Sequence, residues 1–470
     1  MYHEYPVLDI VEQLSADGLL PAILFRTSRK QCDADIEKIA HAMGGRLNRH
    51  EQTRLKSEIH AVRQKYGMEE STLTAHPQYG ALIQTGVGAH HAGQLLMWRL
   101  MLEELMTRGV LKLMIATGTV AAGVDFPART VVITAHSRRS SEGFNVLSST
   151  EFQQMSGRAG RRGKDSVGFC LVAPSRFSDA RLLLDVTRKP AEPLRSAYFA
   201  SPSSVLNLLK YRNVDDLRFT VEKSLAAFLD RREASRLEEQ GHSLGREIEG
   251  RSSLKGEALK KALKRVRRME REAEALRQKQ KNSLEETLSG LERLGYVQNG
   301  SLSEKGYWAA ELCTTFVLEL AEAIEAGLFY DLSAFELAGL VASLAGDSHR
   351  QYFDLRPNPV NKEYFDKLSS VVDLLQRTYP RAYAADLKVM PDAALTVVTW
   401  MESSDWHEFA GLLRLARVAE GDVARLVTQT ADHLNQLCKL YKSHPELSRT
   451  AAEARRQLMK PPLSEGFLGE

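Results

Sequence analysis

Short apolar runs separated by helical stretches fill the first ~190 residues and stop near Pro190. Runs at 21–26, 111–116, 130–134 and 167–172 read as strands, the first of them buried. A helix over 28–43 follows the first run, with Ile36, Ile39, Ala40 and Met43 on one face, and a second amphipathic helix spans 95–108. Strands alternating with helices predict a parallel sheet covered on both faces. Beyond Pro190 helices take over, at 202–210, at 221–232 and repeatedly over 312–458, where they predict a bundle. The expected fold class is α/β plus all-α.

Between 231 and 291 the chain is highly charged and nearly free of aromatics. A basic run of Lys260, Lys261, Lys264, Arg265, Arg267 and Arg268 precedes Glu270, Glu272 and Glu274, while Leu254, Leu259, Leu263, Val266, Met269 and Leu276 supply a narrow apolar stripe. This pattern fits a helical hairpin protruding into solvent, either simply solvated or touching nucleic acid. Net charge is only +3, so any nucleic-acid surface must come from local clustering. Cys32, Cys170, Cys313 and Cys438 form no C-x-x-C pair, which argues against a disulfide framework or a zinc site and suggests a reducing cytoplasm. No signal-peptide pattern opens the chain, and no apolar window approaches the ~20 residues of a membrane span.

Chemistry concentrates in Gln154-Met-Ser-Gly-Arg-Ala-Gly-Arg-Arg162. Its glycines let the backbone turn closely, and Arg158 and Arg161, three apart, share one side of a helical turn. Paired guanidiniums suit a transferring γ-phosphoryl group, although a solvated basic turn is the plainer alternative. A second segment, Ile115-Ala-Thr-Gly-Thr-Val-Ala-Ala-Gly-Val-Asp-Phe-Pro127, leaves a strand end. Thr117 and Thr119 offer hydroxyls and nearby amides to a sugar-phosphate backbone, Gly123 permits a tight turn, and Asp125 can accept from a ribose hydroxyl or simply cap a helix. Ser28 and Arg29, in Phe25-Arg-Thr-Ser-Arg-Lys30, lie at a strand's carboxyl end, where open α/β sheets bind ligands. His90 and His91 point apart as sequence neighbours, with no third metal ligand nearby.

These segments resemble motifs IV, V and VI of superfamily-2 helicases, most closely the DExH-box RNA helicases of the superkiller and exosome-cofactor class. The resemblance implies arginine-finger roles for Arg158 and Arg161, with Gln154 beside the nucleotide. It implies that Gly123, Asp125 and Gly157 border ATP, and that Ser28, Arg29, Thr117 and Thr119 contact single-stranded nucleic acid, RNA favoured over DNA. Asp125 and Gly118 depart from the residues frequent in the class, Asn and Glu. Leu206-Asn-Leu-Leu209 with Ser224-Leu-Ala-Ala-Phe228 resembles its winged helix, and Lys305-Gly-Tyr-Trp-Ala-Ala310 resembles the entry to its C-terminal helical domain. Glu420-Gly-Asp-Val-Ala-Arg425 resembles the start of the helix that contacts the translocating strand. The tail His444-Pro-Glu-Leu departs from the exosome-cofactor ending. The implied order is a second RecA-like domain over 1–190, a winged helix over 191–230 and 283–300, the hairpin over 231–282 and a bundle over 301–470.

No Gly-x-x-x-x-Gly-Lys-Ser/Thr and no Asp-Glu-x-His occurs. Gly157 to Lys164 has the wrong glycine spacing for a P-loop, and Asp165 stands where a magnesium-binding hydroxyl is needed. ATP and Mg²⁺ are therefore expected to be held mainly by a first RecA-like domain, and this chain alone is expected to be inactive. A non-catalytic nucleic-acid-binding scaffold derived from a helicase is the competing reading.

Overall fold

The computed structural model describes residues 5–42, 46–121, 127–140, 143–175, 178–250, 256–379 and 387–464. The first half runs α1 (Val7–Ala16), β1 (Ala22–Arg26), α2 (Arg29–His41), α3 (Arg49–Tyr66), α4 (Glu70–Thr74), α5 (Tyr79–Thr85), β2 (Val87–His90), α6 (Leu96–Thr107), β3 (Leu113–Thr117), β4 (Thr130–Ile133), β5 (Ser137–Ser140), β6 (Gly143–Val146), α7 (Ser149–Ser156), β7 (Phe169–Val172) and α8 (Ala180–Arg188). Five of these strands form one parallel sheet in the order β2-β3-β1-β4-β7.

Side chains alternate across this sheet as a pleat requires. Ile23, Phe25, Met114, Val131 and Ile133 face the main core, which continues into the helical half. Leu24, Ala89, Ile115 and Val132 face a smaller core closed by α1 and α2. Burial on both faces explains why the β1, β3 and β4 runs are apolar throughout. β7 pairs only with β4, and its Leu171 and Val172 remain exposed.

The second half runs α9 (Pro202–Leu209), α10 (Val214–Glu222), α11 (Leu225–Gly250), α12 (Glu257–Arg293), β8 (Val297–Gln298), β9 (Ser301–Leu302), α13 (Glu304–Ala309), α14 (Val317–Glu325), α15 (Ala334–Ala345), α16 (Lys362–Thr378), α17 (Pro391–Glu402), α18 (Trp406–Leu415), α19 (Glu420–Cys438) and α20 (Pro445–Leu458). The architecture is thus α/β plus helical. The helix expected over 221–232 is divided, because Ser224 accepts from the Ala227 amide (3.1 Å) and opens α11 while α10 closes at Glu222.

α11 and α12 lie antiparallel, with Arg277 on Glu238 and Gln280 on Asp230. Buried α11 positions fall seven apart at Ala234, Gly241 and Ile248. On α12, burial alternates by three and four from Leu259 through Ala262, Val266 and Met269 to Ala273, which is coiled-coil spacing. Leu263 falls outside that seam and is 42% exposed, contrary to its expected place in the apolar stripe. Leu254 and Met43 lie outside the described residues.

The two halves meet where α19 begins. The Gly421 amide donates to the Gly93 carbonyl (3.0 Å), and Asp422 takes Nη1 of Arg29 at 2.6 Å. A Cβ at residue 421 would stand 2.4 Å from the Gln94 carbonyl oxygen and 2.6 Å from that of Ala92. Backbone cannot yield as a flexible side chain does, so α19 would have to withdraw. Gly421→Ala is expected to cost about 1–3 kcal/mol, the usual range for overpacking. Gly411→Ala in α18, where a Cβ meets nothing within 4 Å, serves as the control. Urea unfolding of both checks this, and equal stabilities would refute the close approach.

Candidate nucleotide-facing and nucleic-acid-facing sites

Parallel strands place the candidate residues at two edges of the sheet. β1 and β3 end together, Arg26 level with Thr117. Ser28 caps α2, accepting from the Gln31 amide at 3.3 Å, and is exposed. Arg29 reaches Asp422 on α19 rather than projecting alone. Thr117 is half-buried, and Thr119 sits in a 3₁₀ turn at 118–121. Gly123 and Asp125 lie outside the described residues.

The arginine loop lies at the opposite edge, before β4. Ala128 donates to the Arg158 carbonyl (2.9 Å) and its own carbonyl accepts from Gly160 (2.7 Å). α7 starts with a reciprocal cap between Ser148 and Glu151. It turns Phe152 and Met155 inward and leaves Gln154 exposed. Gly157 caps its far end, and Arg158 is half-buried just beyond.

Arg161 is not an open finger. Its Nε and Nη2 hold the two oxygens of Asp165 at 2.8 and 2.9 Å, and its amide donates to the same carboxylate at 2.9 Å. The guanidinium beside Asp165 holds that carboxyl down to about 2. Two of five N–H donors are engaged, so the Nη1 edge stays available. Sequence reading took Asp165 only as a residue that spoils a P-loop. It also passed over Arg129, beside this pair, whose buried Nε has no partner. Arg129 and Arg161 thus share the Asp165 carboxylate, with Arg158 in the same loop. Among the described residues no group of His, Cys, Asp or Glu is arranged to hold a metal. His90 and His91 are instead held by Glu103 (2.6 Å) and Asp33 (3.0 Å).

A second cationic place adjoins α19. A cavity of about 460 Å³ is lined by Gln94, Leu96, Arg99, Arg425, Thr428 and Gln429 among others, with no carboxylate. Arg425 is exposed. Arg99 is half-buried, its Nε without a partner, and burial pulls its pKa below the ordinary range. α6 opens there without a side-chain cap, so its first-turn amides face anions favourably. A basic residue in the otherwise apolar first two turns of α6 was the overlooked signal. Gln429 also lines a cavity of about 330 Å³ with Thr314, Thr315, His433 and Gln436, and the 313–316 stretch borders a third of about 610 Å³ with Ser203, Ser204 and Asn207. Together they make a trough of mixed apolar and polar lining beside α19, with Asp432 and Glu319 among its lining residues.

Asp165 has a folded pKa below its unfolded value, so its contribution to stability is present above about pH 4 and fades as pH falls towards 2. Asp165→Asn should therefore melt below wild type at neutral pH, with the gap closing towards pH 2. Melting curves across this range check it, and a gap independent of pH would refute the pairing.

The DSHCT (NUC185) domain family matches residues 299–465. DExH-box ATP-dependent RNA helicase DExH15, chloroplastic, of Arabidopsis thaliana is 34% identical over 203 residues, 43% of this chain and 17% of its own length. The probable helicase HelY of Mycobacterium tuberculosis is 30% identical over 220 residues, 47% of this chain and 24% of its own. The exosome RNA helicase MTR4 of Homo sapiens is 30% identical over 223 residues, 47% and 21%. The chain thus spans less than a quarter of the length of each relative.

Proposed function

We propose that the chain is the C-terminal portion of a superfamily-2 DExH helicase, as its DSHCT match and its likeness to DExH RNA helicases support, and that it supplies the second motor domain, the arginine fingers and the strand-gripping helix of an ATP-dependent helicase acting on RNA or DNA. The observation that carries this reading is the pair of cationic places on one rigid scaffold. One is the Arg129, Arg158 and Arg161 cluster before β4, and the other is the trough beside α19.

ATP hydrolysis needs a phosphate cradle and Mg²⁺ as well as fingers. The cradle and the metal belong to a first RecA-like domain, on this polypeptide or another. Arg158 and Arg161 would meet the γ-phosphate across that cleft, with Asp165 fixing the Arg161 fork. Exposed Val167, Leu171, Val172, Leu184 and Leu194 follow the arginine loop directly and suit a covering partner. By the same resemblance Asp125 would couple to the ribose and Gln154 would sit beside the nucleotide.

In the trough, Arg99, Arg425 and the α6 amides take backbone phosphates. Thr314, Thr315, Gln429 and Gln436 offer uncharged donors along the same line. α9, α10 and the β8–β9 ribbon form the winged-helix wall on the far side. Localisation in the cytoplasm accords with four unpaired cysteines.

Two outcomes test this. The chain alone should release negligible phosphate from ATP with single-stranded RNA, and adding the first motor domain should restore turnover that Arg161→Ala lowers by about 10³ or more. Robust turnover by the chain alone, lost in Arg161→Ala, would contradict the division of labour. Separately, Arg425→Ala and Arg99→Ala should each weaken single-strand binding alike for all sequences and reduce the salt slope by about 0.7. Fluorescence anisotropy at several salt concentrations reads this, and unchanged slopes remove the trough from the strand path.

A further inference from the structure

The hairpin divides into two electrostatic regions. Near its root the cations are paired, Arg277 with Glu238, Lys279 with Asp230 and Arg236 with Glu233. Towards its tip Arg268 pairs with Glu272, but among the described residues Lys260, Lys264 and Arg267 have no ion pair and Arg271 bonds only the Arg267 carbonyl. Spacings of four, three and four put these four residues on one face of α12, all exposed, on either side of Leu263. They line a shallow groove of about 770 Å³ whose only carboxylate is Glu270. A merely solvated rod is better served by alternating charge, as the root is.

We propose that this stripe is a docking face for the phosphate backbone of double-stranded nucleic acid flanking the strand in the trough. At 1.5 Å per residue it extends about 16 Å. A duplex strand presents a phosphate every ~3.4 Å of axis, so four cations face about five phosphates. The occupant is a duplex rather than a single strand because residues 231–291 contain no Phe, Tyr or Trp. Single strands are commonly held by stacking on aromatics, and Phe199 and Phe316 line the trough where the hairpin has none; protein partners likewise favour aromatic anchors. A straight coiled coil with flexible cations matches a regular backbone instead. The inference rests on reading the chain as a nucleic-acid motor, but it uses no residue of the trough.

The test is anisotropy on the full chain with three probes: a short single strand, a duplex bearing a single-stranded tail, and polyglutamate. The variants are Lys260→Gln/Lys264→Gln/Arg267→Gln/Arg271→Gln and the half-set Arg267→Gln/Arg271→Gln, with circular dichroism confirming the helices. For the tailed duplex, the full set should lower the salt slope by about 3 to 4 and the half-set by about half that. Short single-strand binding should stay unchanged in both. Unchanged duplex slopes, equal losses on single strand and duplex, or equal binding of polyglutamate each overturn the proposal. If wild type binds the duplex through the stripe but no short single strand, the trough reading fails and this one stands. If it binds neither, both fail.

Discussion

Gly421 fastens the start of α19 to the 91–94 loop and Asp422 fastens it to Arg29 of α2, and the relation between the two cationic places depends on that joint. The backbone contact needs a residue without a Cβ, and the Arg29–Asp422 pair adds a charge tether beside it. Arg350 also approaches Asp422, at 3.7 Å. Behind the loop, His76 stacks on Trp98 with centroids 3.6 Å apart and bonds Gln94 at 2.7 Å. Burial lowers the His76 pKa to about 4, so the ring is neutral near pH 7 and fits its apolar neighbour. The result is a rigid junction that carries Arg425 one turn further along the same helix. Arg99 enters the cavity from the α6 side, so the two guanidiniums converge only because the joint is made.

The arginine loop follows a different physical rule. A guanidinium intended for a phosphate loses rotamer freedom when the phosphate arrives. Asp165 removes that loss in advance by fixing the Nε and Nη2 edge of Arg161. The same carboxylate offsets the mutual repulsion of Arg129 and Arg161. One acid against these two cations leaves them ordered with a net positive charge, a state that would favour an anion.

Much of this was legible in the chain, for identifiable reasons. β1, β3 and β4 announced themselves because central parallel strands are apolar on both faces. β2 did not, since Gly88 is small to admit Leu102 of α6, whose side chain would lie 2.5 Å from a Cβ there. The arginine pair was legible from its spacing, whereas the Asp165 fork was not, because an i,i+4 acid matters only once the loop has closed. Arg425 was reached through its resemblance to a known helix. Arg99 looked like a stray cation until α19, remote in sequence, stood opposite it. Ser28 and Arg29 were expected at a strand end and are there, but Arg29 also serves the joint between the two halves.

The lining of the trough bears on how such a grip would operate. A channel built wholly of cations would hold a phosphate backbone too firmly for stepwise movement, since each charge contact multiplies affinity at low salt. Here two guanidiniums sit at one end, and beyond them the lining holds Thr, Gln, Ser and Asn side chains with the carboxylates Asp432 and Glu319 but no further basic residue other than His433. Neutral hydrogen bonds exchange readily with water because their net worth is small. Such a lining favours a strand that stays engaged while individual contacts break. It also reads no base edges, so binding would be set by backbone length and salt rather than by sequence.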